Sequence, residues 1–434
     1  MKILVVGSGG REHALVWTLG RNRSVSSVLC APGNPGIARL ARTVPVDAGD
    51  VNGLLDLAIR EQVDLTVVGP ELPLDRGIVD IFSSRGLRIF GPTAAAARLE
   101  CSKVFAKDFM AKHGIPTARY RVCDHASAAR AMLDRGELGY PVVVKADGLA
   151  AGKGVVIAED RAAAEVAVAA AMDQRQFGDA GDRLVLEECL TGPEVSFFAI
   201  SDGHRAIPVG TAQDHKRIYD DDLGPNTGGM GAFAPSPLVD AAASARIMRD
   251  IVDPVIAGMR HDGHEYRGFL YVGLMLTCDG PKVIEFNVRF GDPEAQVVLP
   301  SLAGELAPVL MSAAQGELTV DGIEVRPEKY VGVVLASQGY PQSGPTGLPI
   351  AGAERADGRE GVAVFHAGTA PGPDGTVLTA GGRVMTVVAH AATFEGAIEK
   401  AYAGVREIRF EGMQYRSDIG RKAVEEKEGR RQKG

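Results

Sequence analysis

Val283-Ile284-Glu285-Phe286-Asn287-Val288-Arg289-Phe290-Gly291-Asp292-Pro293-Glu294 reads as a β-strand running into a turn. Successive strand side chains point to opposite faces. Ile284, Phe286, Val288 and Phe290 therefore share a face suited to a core, and Glu285, Asn287 and Arg289 share the other. A carboxylate and an amide two residues apart can reach one hard cation, because Mg²⁺ takes oxygen ligands and is often shared with substrate phosphates. Arg289 beside them offers a planar fork for a phosphate or carboxylate. The same alternation also describes a half-buried strand with a solvated face. The rest of the chain has to decide between the two.

Upstream, Tyr140 to Val156 reads strand, glycine-rich loop, strand, a hairpin flap. It is not a Walker loop: only three residues separate Gly148 from Gly152, and Gly154 follows Lys153 where a hydroxyl belongs. Mobile glycines can still bring backbone N–H groups to phosphates, with Lys145 or Lys153 adding charge. A flap of this kind can also exclude water from a reactive intermediate. Ser102-Lys103 opens an amphipathic helix through Lys112. Glu187 and Glu188 are strand neighbours, point apart and cannot share a proton. The run Asp220-Asp221-Asp222 fits a solvated acidic loop better than a metal site. The glycines from Gly224 to Gly231 let backbone approach a ligand.

The first hundred residues alternate short apolar runs at 2–6, 27–30, 64–68 and 87–90 with helical patterns at 11–20, 52–61 and 75–84. That pattern implies a parallel sheet with right-handed crossovers and ligands at the carboxyl ends of its strands. Those ends carry Gly7-Ser8-Gly9-Gly10-Arg11, Pro32-Gly33-Asn34 and Gly69-Pro70-Glu71. A dinucleotide fingerprint fails, because position 12 is Glu12 and no acidic residue ends the second strand. A phosphate monoester at the helix N-terminus and an unliganded βα turn both remain open.

The length of 434 residues requires several domains. A net charge of −8 without a basic tract argues against nucleic acid. No apolar run approaches a membrane span, and the first strand is too short for a secretory signal. The five cysteines are scattered, as in a reducing cytoplasm, and give no zinc site. From Tyr330 on, strands at 330–336, 361–366 and 382–389 and a helix at 393–408 read as a small α+β domain packing on the core, with His366 structural. The end, from Arg421, is expected to fray, with no further domain after it.

Taken in order, Gly7 to Ala14, Val68 to Glu71, Lys145 to Val155, Gln213 to Arg217, Gly224 to Ala232 and Glu285 to Glu294 resemble the phosphoribosylamine–glycine ligase family (glycinamide ribonucleotide synthetases) of the ATP-grasp superfamily. The resemblance implies an α/β and α+β multidomain fold. Residues 1–101 would form the phosphoribosyl-substrate domain and 102–329 the ATP-grasp region, with 120–192 as a mobile lobe over the nucleotide. A C-terminal domain would follow at 330–424 and a tail at 425–434.

It also implies roles. Lys103, Lys145, Gly148, Gly152, Lys153 and Gly154 would meet ATP phosphates; Glu187, Glu188 and Leu190 would face adenine, and Glu194 the ribose. Glu285 and Asn287 would hold Mg²⁺ or Mn²⁺. Asp214, Gly229, Arg289, Gly291 and Asp292 would lie nearest glycine and the transferred phosphoryl group, with Asp214, Arg289, Asp292 and Lys145 catalytic. Gly9, Gly10, Arg11, Asn34 and Glu71 would bind 5-phosphoribosylamine. The implied enzyme is a cytoplasmic, monomeric carbon–nitrogen ligase of purine biosynthesis that forms ADP through glycyl phosphate. Another ATP-grasp carboxylate–amine ligase and a non-catalytic nucleotide sensor are the alternatives.

Overall fold

A computed structural model describes residues 1–148 and 154–431. The N-terminal strands pair in parallel in the spatial order Arg42–Thr43, Ser27–Pro32, Lys2–Gly7, Leu65–Val68, Ile89–Phe90. Ile3, Leu4, Val5 and Val6 are fully buried, as expected of a parallel sheet covered on both faces. The helical pattern at 75–84 resolves into two short helices, Glu71–Asp75 and Ile78–Ser84, broken at Gly77, which takes a left-handed φ of 75°.

A second, antiparallel sheet runs Tyr120–Cys123, Leu184–Glu188, Val142–Ala146, Val155–Ala158. Its last two strands are the two arms of the expected hairpin flap. The third sheet has eight strands: Gly280–Asn287, Arg267–Thr277, Glu194–Asp202, Ala206–Asp214, Gly231–Ala234, Lys329–Ala336, Arg383–Ala391 and Val362–His366. It runs without a break from the central region into the C-terminal one, through the pairing of Gly231–Ala234 with Lys329–Ala336. Helix Phe394–Val405 covers the C-terminal strands with Phe394, Ala397, Ala401 and Val405.

Two expectations are corrected. Residues Arg421–Arg431 form a helix where a frayed segment is expected from sequence. The aspartates at 220–222 are not simply solvated: Asp222 pairs with Arg416 and Lys422, Asp221 with Arg421, and Asp220 accepts from Ser417. The partners lie some two hundred residues downstream, so local sequence carries no sign of them. His366 is buried, and its backbone N–H donates to His13 Nδ1 at 2.8 Å, a structural position. Among the described residues no helix is long and apolar enough to cross a membrane.

Candidate active site

The strand Gly280–Asn287 carries a bulge that revises its reading. Gly273 stands opposite Glu285 but Leu274 opposite Val283, so Ile284 is the extra residue. Val283, Phe286, Val288 and Phe290 go to the core, while Ile284 leaves it and lines a small cavity together with Glu285. Glu194, Ser196, Asp214, Lys216 and Tyr271 are the other polar side chains that line that cavity. Period-two alternation alone placed Ile284 on the wrong face, because one inserted residue reverses it.

Three lysines stand near this strand. Ser102 caps helix Lys103–Lys112 by accepting the Phe105 N–H at 3.1 Å, and it donates to Asp147 at 2.9 Å. Lys103 Nζ then reaches the Gly148 carbonyl at 3.1 Å. Lys107 and Lys145 each lie 3.0 Å from one oxygen of the same buried carboxylate, Glu187. Lys145 also donates to the Ile284 carbonyl at 3.1 Å, and Lys107 to Thr117 at 2.7 Å. Burial lowers the Lys107 pKa to about 8, although Glu187 opposes the shift. Glu188, pointing the other way, takes the backbone N–H and Nε of Arg119 at 3.0 and 2.6 Å. Leu190 is half-buried just beyond that strand. Gly154 closes the flap by accepting the Ala146 N–H at 2.8 Å; Gly152 and Lys153 lie outside the described residues.

On the cavity floor, Lys216 pairs with Glu194 at 2.6 Å and sits 4.0 Å from Asp214. Burial pushes the Asp214 carboxyl up to about 7; Lys216 opposes this, and Glu294 and Glu194 add to it. Glu285 and Asn287 differ from all these groups: their side chains make no hydrogen bond or ion pair among the described residues. Their oxygens suit a hard divalent cation. No cluster of three His, Cys, Asp or Glu that could hold a metal occurs among the described residues. The chain thus offers a partial ligand set, fitting an ion that also takes oxygens from substrate phosphates.

The other flank joins the strand motif to the N-terminal sheet. Arg289 is held by Glu71 at 3.2 Å and Glu100 at 2.8 Å. Burial alone would lower its pKa, but Glu100 and Glu71 outweigh it and keep the guanidinium charged. Glu100 in turn accepts the Val288 N–H at 2.7 Å. Arg11 and Arg289 both donate to the Phe290 carbonyl, at 3.1 and 3.2 Å. Arg11 is also paired with Glu12 at 2.6 Å, and Glu12 accepts the Gly9 N–H at 2.6 Å. The acidic residue that excludes a dinucleotide fingerprint therefore occupies the glycine turn itself, where a Cβ at Gly69 would collide with it.

Asn34 is committed internally, donating to the carbonyls of Ser8 at 2.7 Å and His366 at 2.9 Å. Gly10 packs against Gln296, which leaves no room for a Cβ, and Gly291 packs likewise against Glu294. Asp292 accepts from Gln296 at 2.8 Å and from the Arg11 N–H at 3.4 Å. Arg383, from the C-terminal strands, donates to the carbonyls of Gly228 and Asp292, both at 2.6 Å. Gly229 follows at φ 110°, a conformation that favours glycine. Lys107, Glu100 and Arg383 were not foreseen. The i, i+4 spacing of Lys103 and Lys107, which puts them on one helix face, was the available sign for the first. Nothing local marks the other two.

Three family models match the chain: phosphoribosylglycinamide synthetase N domain over residues 1–100, its ATP-grasp (A) domain over 101–295 and its C domain over 330–422. The phosphoribosylamine–glycine ligase of Xylella fastidiosa is 51% identical over 427 residues, covering 98% of each chain. That of Escherichia coli is 47% identical over 431 residues, covering 98% of this chain and 99% of the other. The crystal structure of phosphoribosylamine–glycine ligase from Thermotoga maritima superposes with a TM-score of 0.84 at 32% identity, covering 96% of this chain and all of that one. A biotin carboxylase from Campylobacter jejuni shares the fold alone, with a TM-score of 0.72 at 18% identity over 96% of this chain and 94% of its own.

Proposed function

The chain belongs to the phosphoribosylglycinamide synthetase family, the phosphoribosylamine–glycine ligases, and we propose that the face shared by Glu285, Asn287, Asp214, Arg289 and the surrounding lysines is where it joins glycine to 5-phosphoribosylamine at the expense of ATP. The observation that carries this placement is the contrast on one face: Glu285 and Asn287 are uncommitted, while the nearby Lys145 and Lys216 are anchored by Glu187 and Glu194.

A carboxylate is a poor acyl donor, since its leaving group would be oxide. Transfer of the ATP γ-phosphoryl group to glycine makes glycyl phosphate. The amine of 5-phosphoribosylamine then attacks the carbonyl carbon, phosphate leaves with its electron pair, and glycinamide ribonucleotide forms. No enzyme nucleophile is required; positioning and charge stabilisation supply the catalysis. Lys103 and Lys145 would hold the phosphates beneath the flap bounded by Gly148 and Gly154, and Gly152 and Lys153 would meet them too. Glu188 and Leu190 would border the adenine, and Glu194 would meet the ribose by exchanging its contact with Lys216. Glu187 acts differently from a base contact in this reading, by keeping Lys107 and Lys145 together in a buried site.

Asp214 would take the ammonium of glycine, and Arg289 its carboxylate or the phosphoryl group in transfer. Gly229, Gly291 and Asp292 shape the turn over that space, held from the C-terminal strands by Arg383. Glu285 and Asn287 would hold Mg²⁺, or Mn²⁺, which when bound neutralises phosphate charge. On the N-terminal side Gly9, Gly10, Arg11, Asn34 and Glu71 border the 5-phosphoribosylamine pocket. Because Arg11 and Asn34 are already hydrogen-bonded, the phosphate there would rely on backbone N–H groups.

The reading includes a cytoplasmic monomer, which light scattering would report as a 45.6 kDa species. Its test is ADP release with a divalent metal, 5-phosphoribosylamine and each candidate amino acid in turn. Release that requires both glycine and the amine is expected. Release indifferent to glycine, or none, would overturn the assignment.

A further inference from the structure

Helix Gly10–Leu19 begins beside Gln296 and Asp292 at the candidate active site, and its last turn opens onto a separate cleft of about 670 Å³. That volume lies within the roughly 300–1,000 Å³ usual for small-molecule sites. Trp17, Arg21 and Arg23 line one wall; Arg326 and Tyr330 line another, with His390 from the end of strand Arg383–Ala391. None of these belongs to the catalytic face described above.

The cleft is rich in uncommitted cations. Arg21 donates to the Trp17 carbonyl at 2.9 Å and Arg326 to the Leu302 carbonyl at 3.4 Å, and neither they nor Arg23 form an ion pair among the described residues. The carboxylate on the lining, Glu305, accepts the backbone N–H groups of Arg23 and Ser24 at 3.1 and 3.3 Å. Asp357 acts on Arg21 from farther off. Flat surfaces accompany these charges. The Arg21 guanidinium lies 3.5 Å from the centre of the Trp17 ring, and Tyr330 and His390 stack with centroids 5.4 Å apart at 24°. Tyr330 is only 3% exposed, with its ring packed on His390.

We propose that this cleft is a second ligand site, for a planar aromatic ring carrying a phosphate. The guanidinium forks match phosphate oxygens two at a time and also stack on flat rings. The exposed His390 and the half-buried Trp17 receive the ring, much as bases stack on protein aromatics. An excess of positive charge over the single lining carboxylate selects the anion. The proposal does not depend on which reaction the other site performs.

Trp17 is the only tryptophan in the chain, so its emission reports on this cleft directly. AMP and phenyl phosphate are titrated into the full-length protein, with adenosine and ribose 5-phosphate as probes lacking the anion or the ring. The expected result is a saturable change in Trp17 emission with AMP and phenyl phosphate that persists in Glu285→Ala. Arg21→Gln with Arg326→Gln, both exposed positions, should raise the apparent Kd at least tenfold without altering the circular dichroism. An emission change lost in Glu285→Ala, or unaltered in the double variant, would assign AMP to the catalytic face and overturn the proposal. Equal binding of ribose 5-phosphate or adenosine, or no saturable change and no heat in calorimetric titration, would overturn it as well.

Discussion

On the lysine flank of the site a single buried carboxylate, Glu187, stands between Lys107 and Lys145, whereas on the N-terminal flank Arg11 and Arg289 face Glu12, Glu71 and Glu100. One flank therefore has cations in excess and the other has carboxylates in excess. Excess positive charge in a water-poor pocket suits a polyphosphate, while arginines already matched by carboxylates are rigid and hard to divert. Between the two flanks lie Glu285 and Asn287, without partners among the described residues. In the proposed reading, phosphoryl chemistry would fall on the lysine side, with Arg289 reaching it from the other flank, which would orient the acceptor.

Glu285→Ala should break this division most severely. Removing the uncommitted carboxylate is expected to lower turnover by about 10³-fold, the scale of losing one charge-stabilising group. ADP release by a variant with unaltered circular dichroism checks it. Next is Glu187→Gln, which leaves two buried lysines without their counter-charge and should cost about 3 kcal/mol of stability, measured by urea unfolding. The pH dependence sharpens this. Folded Lys107, near 8, gives up its proton before the unfolded chain, near 10.5, so stability gains as pH rises across that window. In Glu187→Gln the onset of the gain should move below pH 8.

Arg383→Ala tests whether the C-terminal strands hold the two turns together. Losing charged hydrogen bonds to the Gly228 and Asp292 carbonyls should cost about 2 kcal/mol in kcat/KM, roughly 30-fold, and Arg383→Lys should restore part of it. The smallest effect concerns Asp214. Its carboxyl, pushed up to about 7 by burial, binds an ammonium only when ionised. Hence kcat/KM for glycine should rise with pH through about 7, and Asp214→Asn should flatten that limb.

Much of this was legible before any coordinates. The parallel sheet, the capped helix at Ser102, the flap and the polar face of the Glu285 strand follow from local periodicity and turn chemistry. What stayed hidden shares one cause. The bulge at Ile284 depends on the register with Gly273, the pairing of Asp222 depends on Arg416, and the duty of Glu187 depends on two lysines on other elements. Glu100 and Arg383 look like ordinary charges until the fold brings Arg289 and Gly228 to them. Chemistry set within a few residues can be read directly; chemistry set by long-range register cannot.

The most direct measurement follows oxygen through the reaction. Glycine labelled with ¹⁸O in its carboxylate is turned over with ATP, divalent metal and 5-phosphoribosylamine, and the released phosphate is analysed by mass. Formation of glycyl phosphate on this face requires one labelled oxygen to appear in each phosphate. Phosphate released without label would contradict it.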